Sequence, residues 1–288
     1  MEVIWQTLVP VFAVVGVGYS VAARLAPDAR TLANLALWVA SPALIFSLLA
    51  GTTLGAGRLA TISFGSLFIL AVTALLALAY RVVRPVGRGF LLPVVFMNSG
   101  NMGLACARLA YGEAGLEAAS VFFVVTALMT SLFGVWIGKG SNGLVEALRL
   151  PLLYGAVGGL LLAVTGVELP RLVMEPIEML GAMAIPLMLI NLGMQLRLLE
   201  LSDLHHSLVA VALRMGGGLA AAALFVTLFG VSGVDRSVLI LMSVMPAAVI
   251  NVVIAQRYDT DPALVASSIV VGTMASLVSI PLALLMGG

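Results

Sequence analysis

Residues 97–103 read Met-Asn-Ser-Gly-Asn-Met-Gly, in the middle of an apolar run that extends from about residue 90 to residue 111. A run of this length is typical of a membrane-spanning helix. The Asn, Ser and Gly residues at its centre favour turns and helix caps, and unpaired backbone groups are costly in lipid. We therefore interpret residues 97–103 as the unwound middle of a broken helix. It would face protein or a water-filled cavity and form one half of a substrate site.

An unbroken helix is the alternative interpretation of this stretch. Gly100 and Gly103 would then form a notch for a neighbouring helix, and the Asn side chains would form hydrogen bonds between helices. The two interpretations differ in whether the backbone within residues 97–103 leaves its own helix.

The composition of the chain indicates an integral membrane protein. Of its 288 residues, 62% are hydrophobic and only 9% are charged, whereas soluble domains carry roughly 25% charged residues. The apolar segments are too long for the strands of a membrane barrel and show no period-two alternation, so we predict an all-α fold. A net charge of +1 argues against a nucleic acid as partner.

Apolar windows of about 20 residues recur along the chain and predict ten transmembrane helices. Their approximate spans are residues 3–23, 31–50, 59–80, 89–111, 115–138, 148–166, 172–196, 206–229, 236–257 and 263–286. Lys and Arg are more frequent in the short loops after odd-numbered spans than in those after even-numbered spans. The positive-inside rule then predicts a multi-pass protein of the cell (inner) membrane with both termini extracytoplasmic.

The two halves of the chain resemble each other. Pro42 and Pro186 both lie in the middle of a predicted span, and residues 111–120 align with residues 258–267. Five spans per half is an odd number, so the second half must insert upside down. We therefore predict two inverted repeats, residues 1–138 and residues 148–288, as in secondary transporters that bind substrate at the midplane between repeats.

The repeat predicts a second broken helix in span 9. This span contains Ser243, Pro246 and Asn251. Pro246 removes a backbone donor and clashes with the preceding helical turn. Spans 4 and 9 are therefore predicted to break at corresponding places and to cross each other.

Several motifs resemble the auxin efflux carrier family, which includes plant auxin exporters and bacterial malonate-type permeases. They occupy residues 98–103, 109–115, 245–251 and 273–282. The resemblance implies ten spans in two inverted repeats, similar to the folds of bile-acid transporters and sodium/proton antiporters. It also implies a scaffold formed by spans near residues 3–50 and 148–196, and a moving transport domain formed by spans near residues 59–138 and 206–286. The short connection from Lys139 to Arg149 resembles the prokaryotic form.

The predicted crossing is suited to an anion. Half-helix N-termini carry partial positive charge and free N–H groups, and Asn side chains can donate to a carboxylate. The candidate substrate-binding residues are Asn98, Ser99, Gly100, Asn101, Gly103, Pro246, Ala247 and Asn251 at the crossing, with Asn191 on span 7. The Asn residues of the crossing could instead cap the broken helix ends, and Asn191 could instead form a helix–helix hydrogen bond.

Few charged residues fall within the predicted spans. Arg214 in span 8 could snorkel to the membrane surface, or pair with substrate or an acidic residue. Glu175 and Glu178 in span 7 could relay protons or attract cations, or could simply lie at a solvated helix end.

These observations predict a secondary active transporter of small organic anions, that is carboxylates, working by alternating access with an elevator-like motion. No catalytic, cofactor or metal motif is visible, so we predict neither an enzyme nor a resident cofactor. A sodium-coupled symporter of the bile-acid type is the alternative, and a channel or intramembrane enzyme is a further one. The expected partners are the anion and the lipid bilayer; a coupling proton or sodium ion and a homodimeric state are left open.

Overall fold

A computed structural model of the protein describes residues 2–25, 29–52, 54–139, 149 and 151–287. In chain order its α-helices are α1 (Glu2–Leu25), α2 (Ala29–Leu35), α3 (Ser41–Ala50), α4 (Ala56–Val83), α5 (Leu91–Val95), α6 (Leu104–Met129), α7 (Val135–Lys139), α8 (Pro151–Thr165), α9 (Arg171–Ala182), α10 (Ala184–Leu198), α11 (Leu204–Val211), α12 (Gly217–Leu228), α13 (Gly233–Ser243), α14 (Ile250–Tyr258) and α15 (Pro262–Gly287). Wider π-helical turns occupy Ala36–Ala40, Ser99–Gly103, Thr130–Gly134 and Ala212–Gly216. The predicted all-α membrane fold is confirmed.

Within these ranges, seven helical runs are long and apolar enough to cross a membrane. They are Glu2–Arg24, Thr31–Ala50, Ala56–Val83, Ser99–Gly138, Arg171–Leu198, Leu204–Leu228 and Pro262–Gly287. The run that begins at Ser99 joins the second half of predicted span 4 to span 5, and α8 is apolar but shorter. The predicted spans 4 and 9 are interrupted, which shortens their helices. The helices are compatible with ten spans, and that number stays a prediction.

The first half of the chain packs against the second half through glycines. Helix α1 packs against α10, and a Cβ atom added to Gly18 would collide with the carbonyl group of Ile190. A Cβ atom at Gly193 would likewise collide with the carbonyl oxygen of Val15. Small residues let the two backbones approach closely, which is the usual basis of helix association in lipid.

Helix α3 packs in the same manner against α8 and α9. A Cβ atom would collide with the Pro42 carbonyl at Gly155 and with the Phe46 carbonyl at Gly159. Helices α1, α3, α8, α9 and α10 thus form one closely packed group.

A second group contains α4, α6, α11, α12, α13 and α15. Helix α4 packs against α6 and α12, α13 packs against α6 and α15, and α11 packs against α15. At one end of this group, Arg58 forms a bidentate ion pair with Asp235, with Nε–Oδ2 and Nη2–Oδ1 distances of 2.8 and 2.6 Å. The ion pair joins the first turn of α4 to the first turn of α13.

Two left-handed residues fall at corresponding places in the aligned segments 111–120 and 258–267. Gly112 has φ +65° and interrupts the helical geometry inside α6, and Asp259 has φ +51° at the end of α14. Such values suit glycine best, with Asn and Asp next. The match is compatible with the predicted repeats.

Met1, Gly288 and residues 140–148 lie outside the described residues, and the predicted membrane orientation of the termini stays a prediction.

Candidate functional site

The core of the molecule lies where two interrupted helices cross. Residues 89–100 and 237–249 are all buried. Helix α5 ends at Val95 and the chain resumes a helical course at Ser99, while α13 ends at Ser243 and α14 begins at Ile250. The intervening segments therefore bring four helix ends into the interior.

The unwound segments pair with each other through their backbones. Met97 and Ala247 form an antiparallel β-bridge. The Asn98 N–H donates to the carbonyl oxygen of Pro246 (2.7 Å), and the Ala248 N–H donates to that of Phe96 (3.0 Å). These bonds satisfy backbone groups that have left their helices, which lipid could not do. Spans 4 and 9 are therefore broken and cross as predicted, and the unbroken-helix alternative does not hold.

The glycines of the first break are closely surrounded by neighbouring side chains. A Cβ atom at Gly100 would lie 2.7 Å from the ring of Phe123, and one at Gly103 would lie 2.7 Å from the sulfur of Met242. Both distances are shorter than a van der Waals contact. The glycines hold the π-helical turn Ser99–Gly103 against its neighbours, and Pro246 contributes a residue without an N–H to the second break.

Two helix N-termini start at the crossing. In the turn Ser99–Gly103, the Ser99 N–H donates to the Met97 carbonyl (2.9 Å) and the Gly103 N–H donates to the Asn98 carbonyl (3.1 Å). The N–H groups between these two belong to the first turn, which has no acceptor within its own helix. Helix α14 starts at Ile250, and there the Asn251 and Val252 N–H groups already donate to the carbonyl oxygens of Ala248 and Val249 (3.1 Å each). Each N-terminus carries roughly half a positive charge, so the two starts together favour an anion.

Asn251 caps the end of a broken helix. Its side chain is fully buried, and Nδ2 donates to the carbonyl oxygens of Leu92 (3.1 Å) and Phe96 (2.9 Å), at the C-terminal end of α5. Both amide hydrogens are therefore committed to the protein. Its Oδ1 atom is buried with no partner among the described residues.

Three other Asn side chains donate no amide hydrogen to any partner among the described residues. Asn98 is buried and Asn101 is half-buried, and neither side chain forms a hydrogen bond within the described part of the chain. Asn191 is 5% exposed, and its Oδ1 has no partner there. It lies on α10, which packs against the turn Ser99–Gly103. These three amides remain available to a ligand.

Ser99 anchors the π-helical turn. Its Oγ lies 2.7 Å from Oγ1 of Thr126. Thr126 donates its own hydrogen to the carbonyl oxygen of Phe123 (3.0 Å), so Ser99 is the donor between the two hydroxyls. The side chain of Ser99 thus ties the turn to α6.

Arg214 lies at the crossing, in a role that none of the sequence interpretations gave it. The residue is 1% exposed. Its Nη1 donates to the carbonyl oxygens of Val94 (3.1 Å) and Val95 (2.8 Å), and its Nη2 donates to that of Ser243 (3.3 Å). The guanidinium therefore caps the C-terminal ends of both α5 and α13. It does not reach the membrane surface, and no ion pair of Arg214 exists within the described ranges.

Glu175 and Glu178 lie away from the crossing. Both are exposed on α9. Among the described residues no group of three or more His, Cys, Asp and Glu side chains could hold a metal ion.

Comparisons with known proteins agree with the motifs. The sequence profile of a family described as "Membrane transport protein" matches residues 140–284. A protein of Methanothermobacter thermautotrophicus, named an uncharacterized transporter, is 32% identical over 273 residues, which cover 88% of each chain. Another uncharacterized transporter, from Methanocaldococcus jannaschii, is 26% identical over 273 residues, also covering 88% of each chain. The chain therefore belongs to the membrane transport protein family, the auxin efflux carrier family that its crossing motifs resemble.

Proposed function

We propose that this protein is a secondary active transporter of small organic anions, and that it binds a carboxylate at the crossing of its two broken helices. The observation that carries this proposal is the difference between the helix ends. Arg214 and Asn251 occupy the carbonyl ends of α5 and α13. The helix starts at Ser99 and Ile250 have no side-chain cap among the described residues, so the ends left for a ligand are the N-terminal ones, which attract anions.

The free Asn amides supply the remaining donors of the proposed site. Asn98 and Asn101 stand at the first helix start, together with Gly100 and Gly103, and Pro246 and Ala247 line the opposite strand of the crossing. These donors are neutral, which suits a carrier, since a carboxylate held by neutral amides leaves no stranded buried charge when the site empties.

Asn191 provides the link to alternating access. It lies in the glycine-packed group of helices, which we propose as the scaffold, near residues 3–50 and 148–196. The crossing lies in the other group, proposed as the transport domain near residues 59–138 and 206–286. Because α10 touches the turn Ser99–Gly103, an anion held there would meet both groups. An elevator-like displacement of the second group along the first would carry the anion across the membrane.

Ligand binding tests the substrate class. We expect a thermal-shift screen of the purified protein against mono- and dicarboxylates to show stabilisation by at least one carboxylate, since a ligand that binds only the folded state raises its stability. The corresponding primary alcohols are the matched controls and should have no effect. Stabilisation only by cationic or neutral solutes would contradict the proposal.

Flux measurements test the mechanism. In proteoliposomes, unlabelled carboxylate on one side of the membrane should accelerate the exit of labelled carboxylate from the other side. A carrier that binds unlabelled substrate returns to the labelled side faster than an empty one and can then move the next labelled molecule. A conductive pore would show no such exchange. Comparing uptake with sodium and with choline, at two pH values, tests the sodium-coupled alternative and a coupling proton.

A further inference from the structure

We propose that Arg214 is a built-in counter-cation of the crossing: it occupies the carbonyl ends where a bound metal cation would otherwise be needed, and so makes anion binding independent of sodium. The inference rests on the proposed anion site and identifies what balances its charge.

The charges at the crossing match in size. Each helix C-terminus carries about half a negative charge, so the ends of α5 and α13 together carry about one. One guanidinium neutralises that charge. The two N-termini carry about one positive charge between them, which one carboxylate would neutralise. The crossing is therefore balanced for a monoanion.

The hydrogen bonds of the Arg214 guanidinium all go to backbone carbonyl oxygens. Two of its nitrogens donate to carbonyls of Val94, Val95 and Ser243, which belong to two different helices. The Nε atom is buried below 1 Å² of exposed area and has no partner among the described residues. A ligand thus reaches no part of the guanidinium, and Arg214 acts on the anion through the helix ends.

The same contacts remove the oxygen ligands of an alternative cation. Sodium and other hard cations bind carbonyl and carboxylate oxygens. At these helix ends the carbonyls of Val95 and Ser243 already accept hydrogen bonds from Arg214. Gly218 keeps this arrangement possible, since a Cβ atom there would lie 2.5 Å from Nη2 of Arg214.

The decisive variant is Arg214→Ala, tested with and without guanidinium ion at millimolar concentration. Acetate and benzoate, both monoanions, serve as probes, and binding is measured by titration calorimetry of the purified protein. In the wild type, affinity for these anions should be equal in sodium chloride and choline chloride. In Arg214→Ala it should fall by about tenfold or more, because the carbonyl ends of α5 and α13 then keep their negative charge near the anion, and guanidinium should restore it.

The matched control is Arg108→Ala, since Arg108 is half-exposed and pairs with Glu113 on the surface (3.1 Å). Its anion affinity should respond to neither the substitution nor guanidinium. Wild-type binding that requires sodium would overturn the inference. So would an Arg214→Ala protein that binds the anions like the wild type, or one that guanidinium leaves unrestored.

Two further measurements keep the proposals separable. If Arg214→Ala does not fold, Arg214→Lys and Arg214→Gln replace it. Lys should then bind the probes at least tenfold more tightly than Gln, and equal affinities would overturn the inference. If the wild type binds none of the probes, the carboxylate proposal fails, and the role of Arg214 is then tested by the melting temperature measured without anion. Guanidinium should raise the melting temperature of Arg214→Ala and not that of the wild type. No rise in Arg214→Ala would overturn the inference that Arg214 acts as a counter-cation.

Discussion

At the scale of single residues, four Asn side chains near the crossing divide by what their amides bind. Asn251 donates both amide hydrogens to carbonyl oxygens, one within α5 and one directly after its last residue. Asn98, Asn101 and Asn191 give theirs to no atom of the described protein. The same residue type thus serves a helix end at one position and remains open to a ligand at the others.

Asn191→Ala should weaken carboxylate binding with little change in folding stability. The free amide contributes to the bound state only, and a hydrogen bond to a charged partner is worth roughly 1.5–3 kcal/mol, or about ten- to a hundred-fold in affinity. Asn191→Asp should bind worse still, because it places a negative charge beside the anion. Titration of the folded variants measures both effects. An Asp variant with wild-type affinity would contradict direct contact.

Asn251→Ala should act in the opposite way, mainly on stability. It removes one of the two donors of each of the carbonyls of Leu92 and Phe96, which keep the N–H groups of Phe96 and Ala248 as partners, at a cost of roughly 0.5–1.5 kcal/mol per hydrogen bond. Thermal unfolding in detergent without anion measures the loss, and Asn191→Ala is the control that should unfold like the wild type. Equal melting temperatures for the two variants would rule out the capping role.

The sequence could not separate these roles. An amide that caps a helix and an amide that binds a carboxylate are the same group, and the carbonyls that Asn251 caps lie more than 150 positions earlier in the chain. The role of Arg214 was hidden for the same reason. Its acceptors are backbone carbonyls, which no residue type marks.

At the scale of elements, helix α15 shows that proline alone does not unwind a span. Pro281 lies inside α15 without interrupting it, whereas Pro246 lies in the unwound segment that pairs with residues 96–98. The breaks are held by the mutual backbone bonds, and the residue types permit them.

Pro246→Ala should therefore lower transport while the protein still inserts and folds. The new N–H lets α13 extend by a turn, which competes with the bridge between Met97 and Ala247. We expect carboxylate uptake in proteoliposomes to fall by at least tenfold. Pro281→Ala is the matched control and should transport normally. Normal uptake by Pro246→Ala would mean that the break does not depend on proline.

Asp261 should stabilise the protein as the N-cap of α15. It has φ +55°, and its Oδ1 accepts the N–H of Leu264 (3.2 Å). Asp261→Ala should destabilise the protein by about 0.5–2 kcal/mol, the usual cost of losing an N-cap, whereas Asp261→Asn should be nearly neutral. Thermal unfolding of the two variants side by side measures this difference. An Asn variant as unstable as the Ala variant would contradict the capping role.

Helix positions could largely be predicted from the sequence, because apolar windows, Gly and Pro mark where spans begin, end and break. Gly100 and Pro246 identified both broken spans. The π-helical turns, such as Ala212–Gly216 around Arg214, could not be predicted, since they depend on what the neighbouring helices leave unsatisfied.

At the scale of the whole molecule, both termini should be extracytoplasmic. Ten spans return the chain to the side on which it began, and the Lys and Arg residues place that side outside. Reporter fusions at Met1 and Gly288 should give the extracytoplasmic signal, and a fusion at Arg149, between the proposed repeats, should give the cytoplasmic one. Opposite signals from the two termini would contradict the inverted repeats, and cytoplasmic signals from both termini would contradict the predicted orientation.

The bonds between residues 96–98 and 246–248 also impose an order on biosynthesis. At about 5–20 residues per second, a ribosome needs roughly 10–30 s to make the roughly 150 residues that separate these partners. Throughout that interval, the unwound backbone of the first break waits in or beside the translocation channel with nothing of its own chain to bind. We expect a fragment that stops after residue 138 to be degraded by membrane proteases, and to be rescued when the second half is expressed with it.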